Sequence, residues 1–227
     1  MPMLEREEVL RKVLHIFSGP LIAAGVFYLP RFAEKTSWVP AAIPSWVYPA
    51  ALLGATLAVL LGVEALRTRF PGFQRLFKKW FGSMLREDEA QGRKATGATY
   101  IVASALLCSI LFRDQPWISF MVLLTFIWGD GVAAIVGQTV GRIKIGEKTL
   151  EGTLACFALC LFLFAFVFTA VPGLVEARGG ALPLHLVIIM SLAISVLELM
   201  PLRLTPQFIV NDNLAVPVLA GLILYMM

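Results

Sequence analysis

Between Gly129 and Gly152 the chain gathers six glycines and three cations, Arg142, Lys144 and Lys148, into 24 residues, together with the acids Asp130, Glu147 and Glu151. Glycines let backbone amides come close to phosphate oxygens, and lysine and arginine neutralise them. A carboxylate beside such cations is what binding of a Mg²⁺–nucleotide needs. The stretch from Gly141 to Thr149 nearly matches G-x-x-x-x-G-K-[ST], but Glu147 intervenes and no strand is expected before it, so it is not read as a P-loop. Asp130 lies between two glycines in an otherwise apolar run. An ionisable group there costs several kcal/mol unless paired or hydrated. The plain alternative is a loop that simply breaks a helix.

The elements that must hold these residues are membrane helices. The chain has 227 residues, 59% hydrophobic and only 15% charged, against about 25% charged in an ordinary soluble domain; its mean hydropathy is +0.82. Leu154 to Val171 carries no charge, and crossing bilayer hydrocarbon takes about 20 such residues. Hydropathy marks seven segments, at 12–30, 45–66, 96–113, 116–138, 153–172, 182–200 and 208–227. The charged start, Met1 to Lys12, and the lack of an evident cleavage site make the run from Val13 a first span rather than a signal peptide. Cys108, Cys156 and Cys160 lie in apolar stretches and form neither a disulfide framework nor a zinc ligand set. The net charge of +4 is no nucleic-acid footprint, because the position of the basic residues matters more than their sum.

With seven spans and an inner N-terminus, fifteen of the nineteen Lys and Arg residues fall on the inner side, which the positive-inside rule favours. The expected fold is therefore an all-α polytopic transmembrane bundle of about seven spans, N-in and C-out, forming one catalytic domain over 1–227. Its cytoplasmic parts are an interfacial segment, 66–95, and a nucleotide-binding loop, 139–152. Within the first, Phe73 to Arg86 reads as an amphipathic helix. Phe73, Leu76, Phe77, Trp80, Phe81, Met84 and Leu85 fall on one side, and Arg75, Lys78, Lys79 and Arg86 on the other. It is either an interfacial helix facing headgroups or phosphate, or a topology anchor.

The costly residues fall at one depth in this layout. Asp130 lies roughly 21 Å along its span at about 1.5 Å per residue. Glu64 and Glu198 close their spans, Asp212 and Asn213 open the last one, and His15 starts the first. The outer halves are nearly free of ionisable groups, His185 being the main exception. A transporter places polar groups near the midplane or on both sides; a one-sided layer suits an enzyme that takes a soluble substrate from the cytosol and a lipid from the membrane.

Several motifs occur in order along the chain: Arg11-Lys12-Val13-Leu14-His15; Leu85-Arg86, Glu89 and Thr96-Gly97-Ala98-Thr99; Gly129-Asp130, Ala133, Gly137, Gly141 and Lys148-Thr149-Leu150-Glu151-Gly152; Glu198; and Asp212-Asn213-Leu214-Ala215-Val216-Pro217. Together they resemble the CTP-dependent polyprenol, dolichol, phytol and diacylglycerol kinase family, which is related to membrane cytidylyltransferases. The compact length is closer to phytol kinases and short prokaryotic members than to the dolichol kinases. The resemblance implies transfer of the γ-phosphate of CTP to a lipid hydroxyl, with Mg²⁺ or another divalent cation, at the cytoplasmic face. It implies nucleotide contacts from Lys12, Arg86, Gly129, Gly137, Gly141, Arg142, Lys144, Lys148, Thr149, Glu151, Gly152 and Asn213. Thr96, Gly97 and Thr99 extend the polar site.

Asp130, His15 and Lys148 are the expected catalytic residues. Asp130 either binds the divalent ion or orients the attacking hydroxyl. Arg142, Lys144 and Lys148 hold the triphosphate, Lys144 serving equally well as a topology residue. Glu151 either shares the metal or fixes Lys148. Lys12 and His15 lie three apart on one helical face and can act together; His15 is a base, a phosphate ligand or a satisfied interfacial side chain. Glu64 and Arg67, also three apart, either pair with each other or join the site. Glu198 and Asp212 are expected metal ligands beside Asp130. The acceptor is expected to be an isoprenoid alcohol of phytol or polyprenol type. A CTP-dependent diacylglycerol kinase, a CTP:lipid-phosphate cytidylyltransferase and a small proton-coupled transporter using Asp130 and Glu198 are the alternatives.

Overall fold

Backbone amides and carbonyls in hydrocarbon have no water to bond, so apolar segments of this kind close their hydrogen bonds internally as helices. A computed structural model describes residues 6–36, 40, 42–85, 87–200, 202–205 and 208–227, with the side chains of 6–15, 83, 203–205 and 208 outside that description. The chain begins with α1 (Arg6–Lys35) and α2 (Val47–Arg69), then a short helix α3 (Pro71–Phe81), a 3₁₀ turn at Gly82–Met84 and one turn of helix α4 (Glu87–Ala90). The apolar helices α5 (Gly97–Leu111) and α6 (Pro116–Thr139) follow. A hairpin of β1 (Lys144–Ile145) and β2 (Lys148–Thr149) leads into α7 (Leu150–Phe162), which runs through a π-helical turn, Leu163–Val167, into α8 (Phe168–Ala170). The chain ends with α9 (Leu174–Arg178), α10 (Leu184–Leu199), a second hairpin of β3 (Arg203–Thr205) and β4 (Phe208–Ile209), and α11 (Asp212–Tyr225).

Four helical stretches, Ile16–Lys35, Val47–Arg69, Pro116–Thr139 and Leu150–Ala170, are long and apolar enough to cross a membrane. The apolar helices α5, α10 and α11 are shorter, with 15, 16 and 14 residues; at about 1.5 Å per residue they rise less than the ~30 Å hydrocarbon core. The chain is a helical integral membrane protein. The seven apolar segments read from the sequence all appear as helices, with ends shifted by a few residues. Two short hairpins depart from a purely helical architecture; strands of two or three residues are too brief to leave a periodicity. The helix expected over 73–86 stops at Phe81, before Gly82.

The apolar surface is arranged for a lipid solvent. Large side chains point outward on several helices, among them Phe17 and Phe32 on α1, Val59 on α2, Phe162 beside the π turn and Leu192 on α10. Helix α6 is apolar all round and takes the central place, packed against α1, α7 and α11. Buried hydroxyls find backbone acceptors: Thr125 donates to Met121 O at 2.6 Å, Ser191 to Val187 O at 2.7 Å, and Ser119 crosses to Cys108 O on α5 at 2.9 Å.

Because lipid tails are as apolar as leucine, membrane helices associate through close packing at small residues. Gly129, Ala133 and Gly137 recur at every fourth position of α6 and face the start of α7. A Cβ on Gly129 would stand 2.9 Å from Cys156 Sγ, one on Gly152 would stand 2.6 Å from the Ala133 carbonyl oxygen, and one on Gly137 would stand 2.7 Å from Thr149 Oγ1. The α1–α6 contact is equally tight at Gly131, where a Cβ would lie 2.9 Å from Ile16 Cδ1. Gly152→Val should therefore cost about 1–3 kcal/mol by overpacking. Gly54→Ala, in the interior of α2 with nothing within 4 Å of its added Cβ, should instead stabilise by about 0.5–1 kcal/mol. Thermal unfolding in detergent compares them, and equal melting temperatures would refute the seam.

Candidate active site

Lys148 stands on β2, delivered by a tight hairpin in which Lys144 pairs with Thr149 and Ile145 with Lys148. The two-residue connection has Gly146 at φ +62°, a left-handed conformation that favours glycine there. The hairpin is fixed to α7. Thr149 caps that helix by accepting from Gly152 N at 3.2 Å, and both Glu151 carboxylate oxygens accept from Ile143 N at 3.2 Å. Glu151 thus holds the hairpin backbone, and Lys148 finds its carboxylates elsewhere.

The Lys148 ammonium reaches across to two other helices. Its Nζ lies 2.9 Å from Glu198 Oε1 and 2.9 Å from Asp212 Oδ2, and it also donates to the Glu198 backbone carbonyl. Glu198 is in the last turn of α10, where exposed carbonyls favour a cation. Asp212 opens α11, where free amides favour an anion; Asn211 Oδ1 caps the same end by accepting from Asn213 N at 3.0 Å. Burial by itself lowers the Lys148 pKa, but the Glu198 and Asp212 carboxylates outweigh it and the net shift is upward, so the ammonium is charged.

Asp130 on α6 is close enough to act electrostatically on Glu198, as is Asp212. The Cys156 thiol, against Gly129, lies within electrostatic reach of both Glu198 and Asp130. Three elements (β2, α10 and α11) therefore bring two carboxylates onto one ammonium, with Asp130 of α6 within electrostatic reach of Glu198. Glu198 Oε2 is buried without a hydrogen-bond partner among the described residues. Among the described residues no group of three or more His, Cys, Asp or Glu side chains is gathered closely enough to hold a metal ion by itself. Arg142 and Lys144 project from the hairpin, exposed.

A second polar cluster lies beside the first. Buried Arg67 sets Nε 2.6 Å from Glu64 Oε2, donates to Lys94 O at 2.8 Å and holds its guanidinium 5.1 Å from the centre of the Phe77 ring. Glu64 Oε1 accepts from Thr96 N at 2.8 Å and Thr99 Oγ1 at 3.4 Å, and Glu89 Oε1 accepts from Gly97 N at 2.9 Å. Two carboxylates thus serve the free amides at the N-terminus of α5. Asn213 Nδ2 donates to Gly97 O at 3.3 Å and ties this cluster to the Lys148 cluster through the adjacent Asp212. The Glu64–Arg67 pair takes the ion-pair alternative, and Thr96 and Thr99 share a 3.1 Å hydrogen bond. Glu89, buried and central to the cap, enters the sequence reading only as part of a motif, without a role; it caps from eight residues away across a loop, beyond the reach of capping-box spacing.

The glycines expected at the phosphates also have close protein neighbours on their Cα side. Gly129 abuts Cys156, and Gly137, Gly141 and Gly152 crowd around Thr149. Their need for a missing Cβ is accounted for by the α6–α7 seam and by the hairpin seated on it. Lys12 and His15 lie on α1, with side chains outside the described residues, and Arg86 lies outside them altogether. The backbone nonetheless locates this part of α1. Trp128 Nε1 donates to Ile16 O at 3.0 Å and Ile16 packs on Gly131, so position 15 is at the level of Asp130.

Curated proteins similar to this chain include three kinases. A phytol kinase from Synechocystis is 30% identical over 71% of the chain and 58% of its own length. A probable chloroplastic phytol kinase from Triticum aestivum is 25% identical over 99% of the chain and 69% of its own length. A CTP-dependent diacylglycerol kinase from Schizosaccharomyces pombe is 25% identical over 72% of the chain and 73% of its own length. The chain thus spans under two thirds of the Synechocystis relative. No family model matches the chain, and no solved structure does. In its ordered motifs and in these relatives, the chain is similar to the phytol kinases and to the CTP-dependent diacylglycerol kinase.

Proposed function

We propose that this chain is a membrane-embedded kinase that transfers the γ-phosphate of CTP to the hydroxyl of an isoprenoid alcohol of phytol or polyprenol type. The observation that carries the reading is the convergence of Glu198 and Asp212 on Lys148, with Asp130 within electrostatic reach of Glu198 and with Arg142 and Lys144 exposed just before and on the same hairpin. The bundle is proposed to cross the membrane seven times, N-in and C-out, with this cluster at the cytoplasmic face. That follows the Lys and Arg distribution.

Among the described residues, two carboxylates meet the single Lys148 ammonium, a balance that repels a bare triphosphate. Glu198 Oε2, buried without a hydrogen-bond partner among the described residues, and the neighbouring Asp130 and Asp212 carboxylates are hard oxygen donors that fit Mg²⁺. Mg²⁺ typically uses one or two protein carboxylates and completes its shell with phosphate oxygens and water. When bound, it supplies positive charge against the phosphate oxygens. Arg142, Lys144 and Lys148, joined by Lys12 and Arg86, are assigned to the triphosphate and Asn213 to a further nucleotide contact. The lipid hydroxyl oxygen forms the new bond to Pγ as the bond from Pγ to the β–γ bridging oxygen breaks, and CDP leaves. The hydroxyl proton passes to Asp130, or to His15 from α1 at the same level. The match to a CTP-dependent diacylglycerol kinase supports diacylglycerol as the second candidate acceptor.

Purified protein supplied with α- or γ-labelled CTP and a panel of phytol, farnesol-like alcohols, polyprenol and diacylglycerol should pass only the γ label to lipid. Transfer of the α label would make it a cytidylyltransferase, and no transfer to any acceptor would remove the kinase reading. Asp130→Asn should lower turnover by about 10²–10⁴-fold if that carboxylate takes the proton, with the melting temperature unchanged. Glu64→Ala removes the acceptor of Thr96 N and the counter-charge of buried Arg67 and should instead cost about 3–5 kcal/mol of stability. Near-normal turnover of Asp130→Asn would take that residue out of the mechanism. Labelling of single cysteines at positions 144 and 178 in sealed vesicles should find them on opposite sides of the membrane; reaction from one side alone contradicts the proposed topology.

A further inference from the structure

Helix α3 carries a surface that the protein leaves uncovered. It starts two residues after Arg69 closes α2, one of the four helices able to cross a membrane, so it lies where the chain leaves the bilayer. Its apolar side is only partly used. Phe73 and Phe77 are half-buried, Phe77 beneath the Arg67 guanidinium, and Gln74 Nε2 fastens the helix to Ala90 O at 3.4 Å. Leu76, Trp80 and Phe81 face outward, 54%, 72% and 46% exposed. Arg75, Lys78 and Lys79 are exposed on the opposite side, and the helix contains no acid. The neighbouring cations Arg93 and Lys94 are already occupied by Asp88.

We propose that α3 docks on the membrane surface through anionic phospholipid headgroups, with Leu76, Trp80 and Phe81 in the acyl boundary and Arg75, Lys78 and Lys79 at the phosphates. An amphipathic helix with a basic polar face binds an interface by apolar burial plus attraction to anionic lipid, and tryptophan favours the headgroup level. A soluble protein partner fits less well, because the exposed apolar residues follow directly on exposed Leu66 and Phe70 at the end of the membrane-length helix α2. Attraction to an anionic leaflet is worth roughly a fivefold preference per cation near the surface. The docking also bears on the interior, since Arg67 joins Phe77 to Glu64 and the Lys94 carbonyl. The proposal does not depend on the kinase reading.

The test uses the full chain in nanodiscs of phosphatidylcholine, with or without phosphatidylglycerol, and reads Trp80 emission by subtracting the Trp80→Phe variant. A lipid brominated high on its acyl chain should quench Trp80, and phosphatidylglycerol should deepen the quenching. The increment should be lost in high salt, where charges are screened within a few Å, and lost in the Arg75→Gln, Lys78→Gln, Lys79→Gln variant. Salt titration of the unaltered protein gives the same reading if that variant fails to fold. Equal quenching in both lipids at all salt concentrations would overturn the anionic component. Trp80 that stays open to an aqueous quencher and is untouched by brominated lipid would overturn docking altogether and leave α3 free for a soluble partner.

Discussion

A charge brought to the edge of a hydrocarbon layer has to find its counter-charge within the protein, because desolvation costs more than most single contacts return. Lys148 meets that constraint by reaching Glu198 and Asp212 at 2.9 Å each, from the end of one helix and the start of another. Much of the polar end follows from this pairing. The hairpin must carry the lysine over to α10 and α11, so it is folded tightly at Gly146 and pinned to α7 by Thr149 and Glu151. Helices α6 and α7 must then run close together, which makes glycine at 129, 137 and 152 a steric requirement.

The two polar clusters divide the work. Around Glu64, Arg67 and Glu89, the polar groups are spent on one another and on the amides that open α5. Around Lys148 the balance is incomplete: the carboxylates outnumber the ammonium, and one Glu198 oxygen is buried without a hydrogen-bond partner among the described residues. A fully satisfied network rigidifies, while an unbalanced one has capacity left for a ligand. Asn213 connects them, so the stiff cluster steadies the open one through the first turn of α11.

Some of this is legible residue by residue. Glu64 and Arg67 are three apart on a helix, and their ion pair follows from that spacing. Asp130 stands out because an acid in an apolar run is rare. The glycines are ambiguous in the sequence, since a missing Cβ serves a phosphate and a neighbouring helix equally well; the fold shows the helix packing. Glu89 stands in a motif, but its capping role is not legible there, because it depends on a loop folding back to place the carboxylate over Gly97.

Hydropathy and charge are local properties, and they were enough to determine a membrane-embedded helical chain, its apolar segments and the concentration of ionisable residues near segment ends. Which acid would hold which cation was decided in three dimensions. Lys148 lies 50 residues from Glu198 and 64 from Asp212, and both partners come within reach only once α7, α10 and α11 have packed. Composition fixes the cost of burying a charge; the fold chooses the partner that offsets it.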